Sequence, residues 1–169
     1  MPKKTKIAIY PGTFDPVTNG HVDLIKRAAR IFEKVIVAVA SEPSKPVLFS
    51  LEERVGMVRE AIRGVHNVRV EKFNGLVVDY VRKVGANVVV RGLRMLSDFE
   101  YEFQMALTNR KLAGEIETIF MMPHESYSYI SSKLIKEAAA LGANLKDFVP
   151  HNVRMKLKEK LIENRDTSQ

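Results

Sequence analysis

Three short polar segments of the sequence carry residue types that proteins use to hold phosphate groups. In the first, residues 11–21, the amide and hydroxyl of Thr13 and the imidazole of His21 are potential donors to phosphate oxygens. Gly12 would let the main chain approach a ligand, and the positive end of a helix dipole follows at His21. Taken alone, the segment could equally be a hydrophilic turn with Asn19 as helix cap and an exposed histidine.

Arginine and glycine make up the second segment, residues 91–94. Arg91 and Arg94 follow a buried strand pattern, and the planar guanidinium fork suits two-point contact with a phosphate. Gly92 between them permits close approach of the main chain. In the alternative, the arginines lie at the surface and form ion pairs. Their available partners are Asp98, Glu100 and Glu102.

The third segment, residues 123–133, places paired serines at a predicted helix start. Ser131 and Ser132 offer hydroxyl groups and free amides there, and Lys133 and Lys136 add positive charge nearby. The serines can also be ordinary helix caps. The tyrosines of the segment can line a base pocket or belong to the core, and both alternatives stay open.

Several kinds of chemistry are excluded by what the sequence lacks. It contains no cysteine, so disulfides, thiol nucleophiles and thiolate metal sites are absent. Neither GxxxxGK[ST] nor GxGxxG occurs, no Ser-His-Asp order or paired-carboxylate site is evident, and the four histidines lie far apart. Phosphoryl or nucleotidyl transfer needs none of these groups, because it depends on positioning and on positive charge around a phosphate.

Apolar, β-branched runs alternate with helical patterns along the chain, which predicts parallel βαβ units. The predicted strands are 6–10, 34–40, 68–73, 87–90 and 118–122, and the predicted helices are 20–32, 51–63, 76–84, 98–113, 132–141 and 153–164. Capping boxes are predicted at Ser50 with Glu53 and at Ser97 with Glu100. Glycines fall where four helices should end, at positions 64, 85, 114 and 142.

This pattern predicts an α/β fold, a Rossmann-like, doubly wound five-stranded parallel sheet with helices on both faces and a C-terminal helix. The expected strand order is 3-2-1-4-5, which opens a crevice at the carboxyl ends of strands one and four. Lys45, held between Pro43 and Pro46, follows strand two; alone it reads as a solvated lysine. Basic or hydroxyl-bearing residues thus follow strands one, two, four and five, which predicts a phosphate site at that edge.

Composition sets the class of protein and of partner. The 169 residues suit one domain, and the formal charge of +7 favours anionic partners, either nucleic acid or phosphorylated small molecules. No apolar run is long enough to span a membrane, and the absence of cysteine suits a reducing compartment, so we expect a cytoplasmic protein. No interleaved aromatic and basic platform is visible, so nucleic acid is not expected as a partner, and the lack of a spanning run gives the same expectation for a membrane.

Two motifs carry a family resemblance. TNGH at residues 18–21 resembles the (T/H)xGH signature of the nucleotidyltransferase superfamily, and ISS at 130–132 with Lys136 resembles its second motif, ISSTxxR. These two motifs alone leave cytidylyltransferases and nicotinamide-mononucleotide adenylyltransferases open. The longer strings that narrow the choice are YPGTFDPVTNGH at 10–21, PSK at 43–45, RGLR at 91–94 and DFEYE at 98–102. Together they resemble the bacterial phosphopantetheine adenylyltransferases.

The resemblance covers residues 6 to about 160 and implies a nucleotidyltransferase that is usually a homohexamer, so we expect a single nucleotidyltransferase domain over residues 1–169. It implies transfer of an adenylyl group from ATP to 4′-phosphopantetheine, giving dephospho-coenzyme A and pyrophosphate, with Mg²⁺. Because few carboxylates occur in these loops, we expect the ion to be held mainly by substrate phosphates and water. His21 is implied as the catalytic residue, since it would bind the ATP α-phosphate and stabilise the transition state. No residue is implied as a direct metal ligand.

Binding roles follow from the same resemblance. ATP would be bound by Thr13, Phe14, His21, Gly92, Leu93, Arg94, Glu102, Tyr127, Ser128, Tyr129, Ile130, Ser131, Ser132 and Lys133. Phosphopantetheine would be bound by Thr13, Lys45, Val77 and Arg91. Two positions depart from the motifs, because Lys133 replaces a usual serine and Lys136 replaces the arginine of the second motif.

No activated nucleophile is visible, so we expect direct in-line attack by the acceptor's own phosphate oxygen on the α-phosphorus. A sister transferase with another phosphorylated acceptor is one alternative. A nucleotide-binding module without catalysis is another, and a nucleic-acid-binding module that uses the basic termini is a third.

Overall fold

The structure is a computed structural model that describes residues 6–166, so residues 1–5 and 167–169 of the expected domain lie outside it. Five parallel strands form one sheet in the order β3-β2-β1-β4-β5, which confirms the predicted topology. The strands are β1 (Ile7–Gly12), β2 (Lys34–Ala40), β3 (Val68–Phe73), β4 (Val88–Gly92) and β5 (Glu117–Met121). The α-helices are α1 (Asn19–Ile31), α2 (Leu51–Ala61), α3 (Val77–Lys83), α4 (Leu96–Leu112), α5 (Ser132–Ala140) and α6 (His151–Asp166), with a 3₁₀ turn at Glu125–Tyr127.

The sheet is buried on both faces, which explains why its central strands are almost continuously apolar. Along β1, Ala8 and Tyr10 pack on one face with residues of α1, α2, α5 and α6. Ile9 points to the other face, where it packs with Val78 and Val81 of α3. None of the helices in the described part of the chain is both long enough and apolar enough to cross a bilayer.

Predicted helix boundaries are confirmed at some sites and wrong at others. The capping box at Ser50 and Glu53 is present, with each side chain accepting from the other residue's amide. The box predicted at Ser97 is wrong, since α4 begins at Leu96. Asp98 accepts hydrogen bonds from the amide and guanidinium of Arg94, which closes the turn before this helix earlier than predicted.

The predicted glycine caps divide in the same way. Gly64, Gly85 and Gly142 have positive φ angles, as a left-handed cap requires, and are confirmed. The cap predicted at Gly114 is wrong, because Ala113 is the C-cap of α4 and Gly114 does not have a positive φ angle.

Two strands run further toward the predicted site than expected. β1 includes Pro11 and Gly12, and β4 includes Arg91 and Gly92, which the strand pattern placed in the following loops. The difference brings Arg91 onto the sheet itself. The side chain is therefore aimed by a strand rather than by a loop.

Candidate active site

A crevice opens where β1 and β4 separate. β1 pairs with β4 at only two positions, Ala8 and Ile9, but stays paired with β2 as far as Gly12. Pro11 is tolerated inside this central strand because it lies beyond the ladder with β4, where no partner needs an N–H group. Its carbonyl oxygen accepts a hydrogen bond from Nη1 of Arg91 at 2.9 Å. The separation lies at the carboxyl edge, as the strand order predicts.

The loop after β1 is held in a strained conformation. Phe14 has a φ of 52°, a left-handed value that costs a non-glycine residue on the order of 1–3 kcal/mol. The next residue, Asp15, is 3% exposed and is tied to distant parts of the chain. Its carboxylate accepts from the amides of Leu48 and Phe49, each at 2.9 Å, and from Nζ of Lys136 at 2.7 Å. These bonds hold the loop against the strain.

Gly12 and Gly92, at the ends of β1 and β4, are closely packed against protein side chains. The sequence had predicted that these glycines make room for a ligand. A Cβ at Gly12 would lie 3.0 Å from ring carbons of Phe14. A Cβ at Gly92 would lie 2.7 Å from Cδ1 of Leu24. A side chain at Gly12 would therefore press on the aromatic ring that covers it.

His21 is fixed by a reciprocal bond pattern at the start of α1. Oγ1 of Thr18 accepts from the amide of His21 at 3.4 Å, and Nδ1 of His21 accepts from the amide of Thr18 at 3.0 Å. Thr18, and not Asn19, is thus the helix cap. Because a main-chain amide donates to Nδ1, the neutral ring carries its proton on Nε2, which has no hydrogen-bond partner within residues 6–166 and can donate to a ligand. Its ring centre lies 5.1 Å from that of Phe14.

The electrostatic surroundings keep His21 neutral. Burial is the main cause that lowers the pKa of this imidazole to about 3, and the positive charges of Arg94 and Arg91 lower it further. The residue is therefore a neutral hydrogen-bond donor at physiological pH. The same two arginines place positive charge beside the ring, where a phosphate would be stabilised.

Arg91 is shared between the two central strands and α4. Its Nε and Nη2 bind the two carboxylate oxygens of Glu102 at 2.8 and 2.6 Å, while Nη1 reaches Pro11. Glu102 is the buried residue of α4, at 8% exposure. Three of the five N–H groups of the guanidinium are used, which leaves two for a ligand. The alternative in which this arginine pairs with an acidic residue is therefore realised.

Arg94 joins the loop after β4 to the segment before α5. Nε and Nη2 bind the carboxylate of Asp98 at 3.0 and 3.1 Å, and Nη1 donates to the carbonyl oxygen of Ile130 at 2.7 Å. Partial burial raises the pKa of Asp98, but the hydrogen bond and charge of Arg94 outweigh it, so the pKa is lowered. This arginine also keeps two N–H groups without a partner in the described chain.

The segment before α5 closes the site from the side of β5. Ser131 caps α5 by accepting from the amide of Leu134, and Oγ of Ser132 donates to the carbonyl of Pro16 at 2.8 Å. The side chain of Ile130 is buried, and its main-chain N–H and carbonyl groups are bound to Tyr127 and Arg94. Four further predicted residues, Tyr127, Ser128, Tyr129 and Lys133, lie along the same segment, and Lys133 is exposed.

Lys45 and Val77 are predicted site residues for which no hydrogen bond or ion pair to the other predicted site residues is seen among the described residues. Lys45 is exposed in the loop after β2, and it makes no hydrogen bond or ion pair with any described residue. Val77 is the first residue of α3, after β3, and packs against the core. Leu93 lies just beyond β4, where its amide donates to the carbonyl of Met121.

Two residues that hold the site together were missed from the sequence. Arg54 is 1% exposed and donates to main-chain carbonyls of three segments, including Thr13. Asp15 lies in the first polar segment, but its partners Leu48 and Phe49 are more than 30 residues away and are main-chain groups. No spacing rule exposes such contacts. Lys136, which the motif linked to phosphates, instead pairs with Asp15.

The donor set is poor in metal ligands. Across residues 6–166, no three histidine or acidic side chains are grouped so that they could hold a metal ion. The carboxylates nearest to the crevice already have cationic partners, namely Asp15, Asp98 and Glu102.

Known proteins resemble this chain over most of its length. The cytidylyltransferase-like family model matches residues 9–138. A phosphopantetheine adenylyltransferase from Heliobacterium modesticaldum is 52% identical over 154 residues, covering 91% of this chain and 92% of the relative. The phosphopantetheine adenylyltransferase of Oleidesulfovibrio alaskensis is 55% identical over 155 residues, covering 92% and 91%.

Solved structures with low sequence identity share the fold. A Plasmodium falciparum nicotinic acid mononucleotide adenylyltransferase, solved with NaAD, superposes with a TM-score of 0.68 at 13% identity and covers 92% of this chain and 95% of its own. A bifunctional NMN adenylyltransferase/ADP ribose pyrophosphatase from Francisella tularensis, solved with AMP and manganese, gives 0.67 at 18% identity over 95% of this chain and 53% of its own.

Proposed function

The chain belongs to the phosphopantetheine adenylyltransferases of the cytidylyltransferase-like family, and from this premise we propose what its site does. It transfers the adenylyl group of ATP to 4′-phosphopantetheine, giving dephospho-coenzyme A and pyrophosphate in the penultimate step of coenzyme A synthesis. The observation that carries the proposal is the neutral His21, pinned at the mouth of the β1–β4 crevice with Nε2 free to donate. The lack of cysteine suits action in the cytoplasm.

His21 acts on the phosphate that reacts. The acceptor's phosphate oxygen attacks the α-phosphorus in line with the departing pyrophosphate, and negative charge on the equatorial oxygens is stabilised by nearby donors. Nε2 of His21 supplies one such donor. Arg91 and Arg94 lie near enough to act on the imidazole electrostatically, and each keeps N–H groups that are available to a phosphate. No covalent enzyme intermediate is required.

The proposed contacts of ATP and of the acceptor meet at the crevice but extend to different elements of the fold. The proposed ATP contacts lie after β1, after β4 and before α5, and they are Thr13, Phe14, His21, Gly92, Leu93, Arg94, Glu102 and residues 127–133. Support comes from the bonds that join these segments, Arg94 to Ile130 and Ser132 to Pro16. The acceptor's proposed contacts are Thr13 and Arg91 at the β1–β4 crevice, Lys45 after β2 and Val77 at the start of α3.

Mg²⁺ bound with the nucleotide would take its ligands from phosphates and water. The observation in favour is that the nearby carboxylates of Asp15, Asp98 and Glu102 are already bound to cations. When bound, the ion would neutralise charge on the leaving pyrophosphate. The protein contributes fixed hydrogen-bond donors around the α-phosphate.

The protein assembles as a homohexamer, and α4 supports this proposal. Eight large apolar side chains of α4 and its cap are exposed: Met95, Leu96, Phe99, Tyr101, Phe103, Met105, Leu107 and Leu112. The rings of Phe99 and Phe103 stack on each other with centres 5.5 Å apart. An exposed apolar surface of this kind usually contacts a partner.

Light scattering after size exclusion tests the assembly. We expect a particle of six chains for the wild type and smaller particles for Phe103→Lys, which puts a charge into the apolar surface of α4. Gln104→Lys, at an exposed polar position of the same helix, is the matched control and should leave the mass unchanged. A wild-type monomer would contradict the proposal.

Pyrophosphate release from ATP tests the proposed reaction. The purified protein is given Mg²⁺, ATP and one of a panel of phosphorylated acceptors, and 4′-phosphopantetheine should give the highest kcat/KM. A different preferred acceptor would identify a sister transferase. Binding of ATP without pyrophosphate release from any acceptor would identify a non-catalytic nucleotide-binding module, and either result would overturn the proposal.

A further inference from the structure

Arg54 is the most buried charged residue of the described chain. It lies on the first turn of α2, at 1% exposure, while most arginines reach solvent. A guanidinium group removed from water is costly unless its donors and its charge are matched. Its surroundings therefore point to a role that surface arginines do not have.

The hydrogen bonds of Arg54 join three separate segments around the crevice. Nη1 donates to the carbonyl oxygens of Thr13 at 2.8 Å and of Ala40 at 2.9 Å, and Nε donates to the carbonyl of Phe49 at 3.2 Å. Thr13 lies in the phosphate loop, which we define as residues 13–15. The loop that carries Lys45, residues 41–49, is called the Lys45 loop. Ala40 directly precedes it, and Phe49 is its last residue.

The nearby carboxylate of Asp15 partly offsets the cost of burying the Arg54 charge. Burial lowers the pKa of Arg54 and the carboxylate of Asp15 counteracts this effect, while its hydrogen-bond acceptors are neutral carbonyls. Asp15 in turn accepts from the amides of Leu48 and Phe49, at the end of the Lys45 loop. The phosphate loop and the Lys45 loop are thus joined twice, once through Arg54 and once through Asp15.

Phe14 lies between the two anchors. Arg54 holds the carbonyl of Thr13 on one side, and the carboxylate of Asp15 is held on the other. Phe14 itself is left-handed, with a φ of 52°, a conformation that persists only when its surroundings enforce it. Loss of either anchor would free the amide of Phe14 to turn away from the crevice.

We propose that Arg54 is a positioning residue that locks the Lys45 loop to the phosphate loop, so that the two substrates are held in one relative geometry. The identity of those substrates rests on the function proposed above. Binding of either substrate then favours binding of the other, because each needs the same arrangement of the two loops.

Arg54→Lys keeps the positive charge and removes the fork that reaches three carbonyls. We expect KM for 4′-phosphopantetheine to rise about tenfold and kcat to fall about tenfold, because charge-assisted hydrogen bonds are lost, with a smaller change in KM for ATP. Arg59→Lys is the matched control. Arg59 lies on the same helix, is exposed and donates to a carbonyl of β3, so its replacement should change neither constant.

Calorimetry measures the coupling without turnover. For the wild type, we expect α,β-methylene-ATP to tighten the binding of 4′-phosphopantetheine by about fivefold or more. The ratio should fall to about one in Arg54→Lys and stay at the wild-type value in Arg59→Lys. A wild type that releases pyrophosphate but shows an unchanged ratio in Arg54→Lys would overturn the inference while leaving the proposed function standing. A wild type without turnover would overturn the function itself.

Hydrogen exchange keeps the inference testable if Arg54→Lys does not fold. In the wild type, the amides of Leu48 and Phe49 should be protected although they lie in a loop, because both donate to buried Asp15. Asp15→Asn should raise their exchange rates and reproduce the loss of coupling. Rapid exchange of both amides in the wild type would contradict the lock.

Discussion

The loops after β1 and β2 are joined to each other beside the crevice, but their functional side chains are held very differently. After β1, Phe14 is strained, Asp15 is buried with three donors, and His21 is bound at Nδ1. After β2, Lys45 is exposed and without a bond to any residue that the structure describes. Asp15 and His21 are thus fixed after β1, whereas the side chain of Lys45 after β2 is not held by any described residue.

This difference indicates that the two loops have different roles, one in stabilising the transition state and the other in binding the acceptor. A donor that stabilises charge in a transition state is most effective when it is already in place, because no reorganisation is then needed during the reaction. A cation that captures an incoming phosphate can act before that step. We therefore expect changes at His21 to act on kcat and changes at Lys45 to act on KM for the acceptor.

The largest effect is expected at His21. His21→Ala removes the preorganised donor at Nε2 and should lower kcat by about 10²–10³ with little change in ATP affinity. Steady-state kinetics and calorimetry with ATP measure the two quantities. His66→Ala, at an exposed position before β3, is the control and should be near wild type. A kcat within a few-fold of wild type would contradict the assigned role.

A smaller effect is expected at Lys45. Lys45→Gln removes one charge that would contact the acceptor phosphate, so KM for 4′-phosphopantetheine should rise about tenfold while kcat changes little. Lys83→Gln, an exposed lysine at the end of α3, serves as the control. If kcat fell as much in Lys45→Gln as in His21→Ala, the division between the two loops would be wrong.

The smallest effect is expected from a change of pH, because the protonation state of His21 should not change near neutral pH. Burial lowers the pKa of His21 from 6.5 to about 3, with Arg94 and Arg91 contributing. The ring should therefore remain neutral between about pH 5 and 8 in the free enzyme. Nitrogen-15 NMR of labelled histidine should show Nδ1 unprotonated and Nε2 protonated over this range. A titration of this ring near pH 6.5 would show that the loop is less rigid than described.

The same pKa shift has a consequence for stability, with a defined sign. As the pH falls below about 6.5, the unfolded chain binds a proton at His21 that the folded chain does not. The residue therefore lowers the free energy of unfolding progressively from pH 6.5 towards 3. This loss should be absent in His21→Ala, as measured by denaturant unfolding at pH 7 and pH 5.

Much of the fold could be predicted because its signals are local and periodic. The limits of β2 and β3 were predicted to the residue, and the strand order followed from alternating strands and helices. The overrun of β1 through Pro11 could not be predicted. A proline is accepted there only because β4 has already diverged, and that is a property of the assembled sheet.

The site was predictable in its location but not in its bonding. The sequence identified Arg91 and Arg94 as candidates, yet it left open whether phosphates or acidic residues were their partners. In the structure both form carboxylate pairs and keep spare donors. Arg54 was not identified from the sequence, and Asp15 appeared only within a motif without a role, because most of their partners are main-chain groups that are distant in sequence.

A crystal structure with α,β-methylene-ATP and Mg²⁺ tests the central claim most directly, because that claim is spatial. We predict that Nε2 of His21 lies about 2.7–3.2 Å from an α-phosphate oxygen, with Arg94 on the same nucleotide and Lys45 facing the open side of the α-phosphorus. A nucleotide bound with its α-phosphate away from His21, or outside the β1–β4 crevice, would contradict the account.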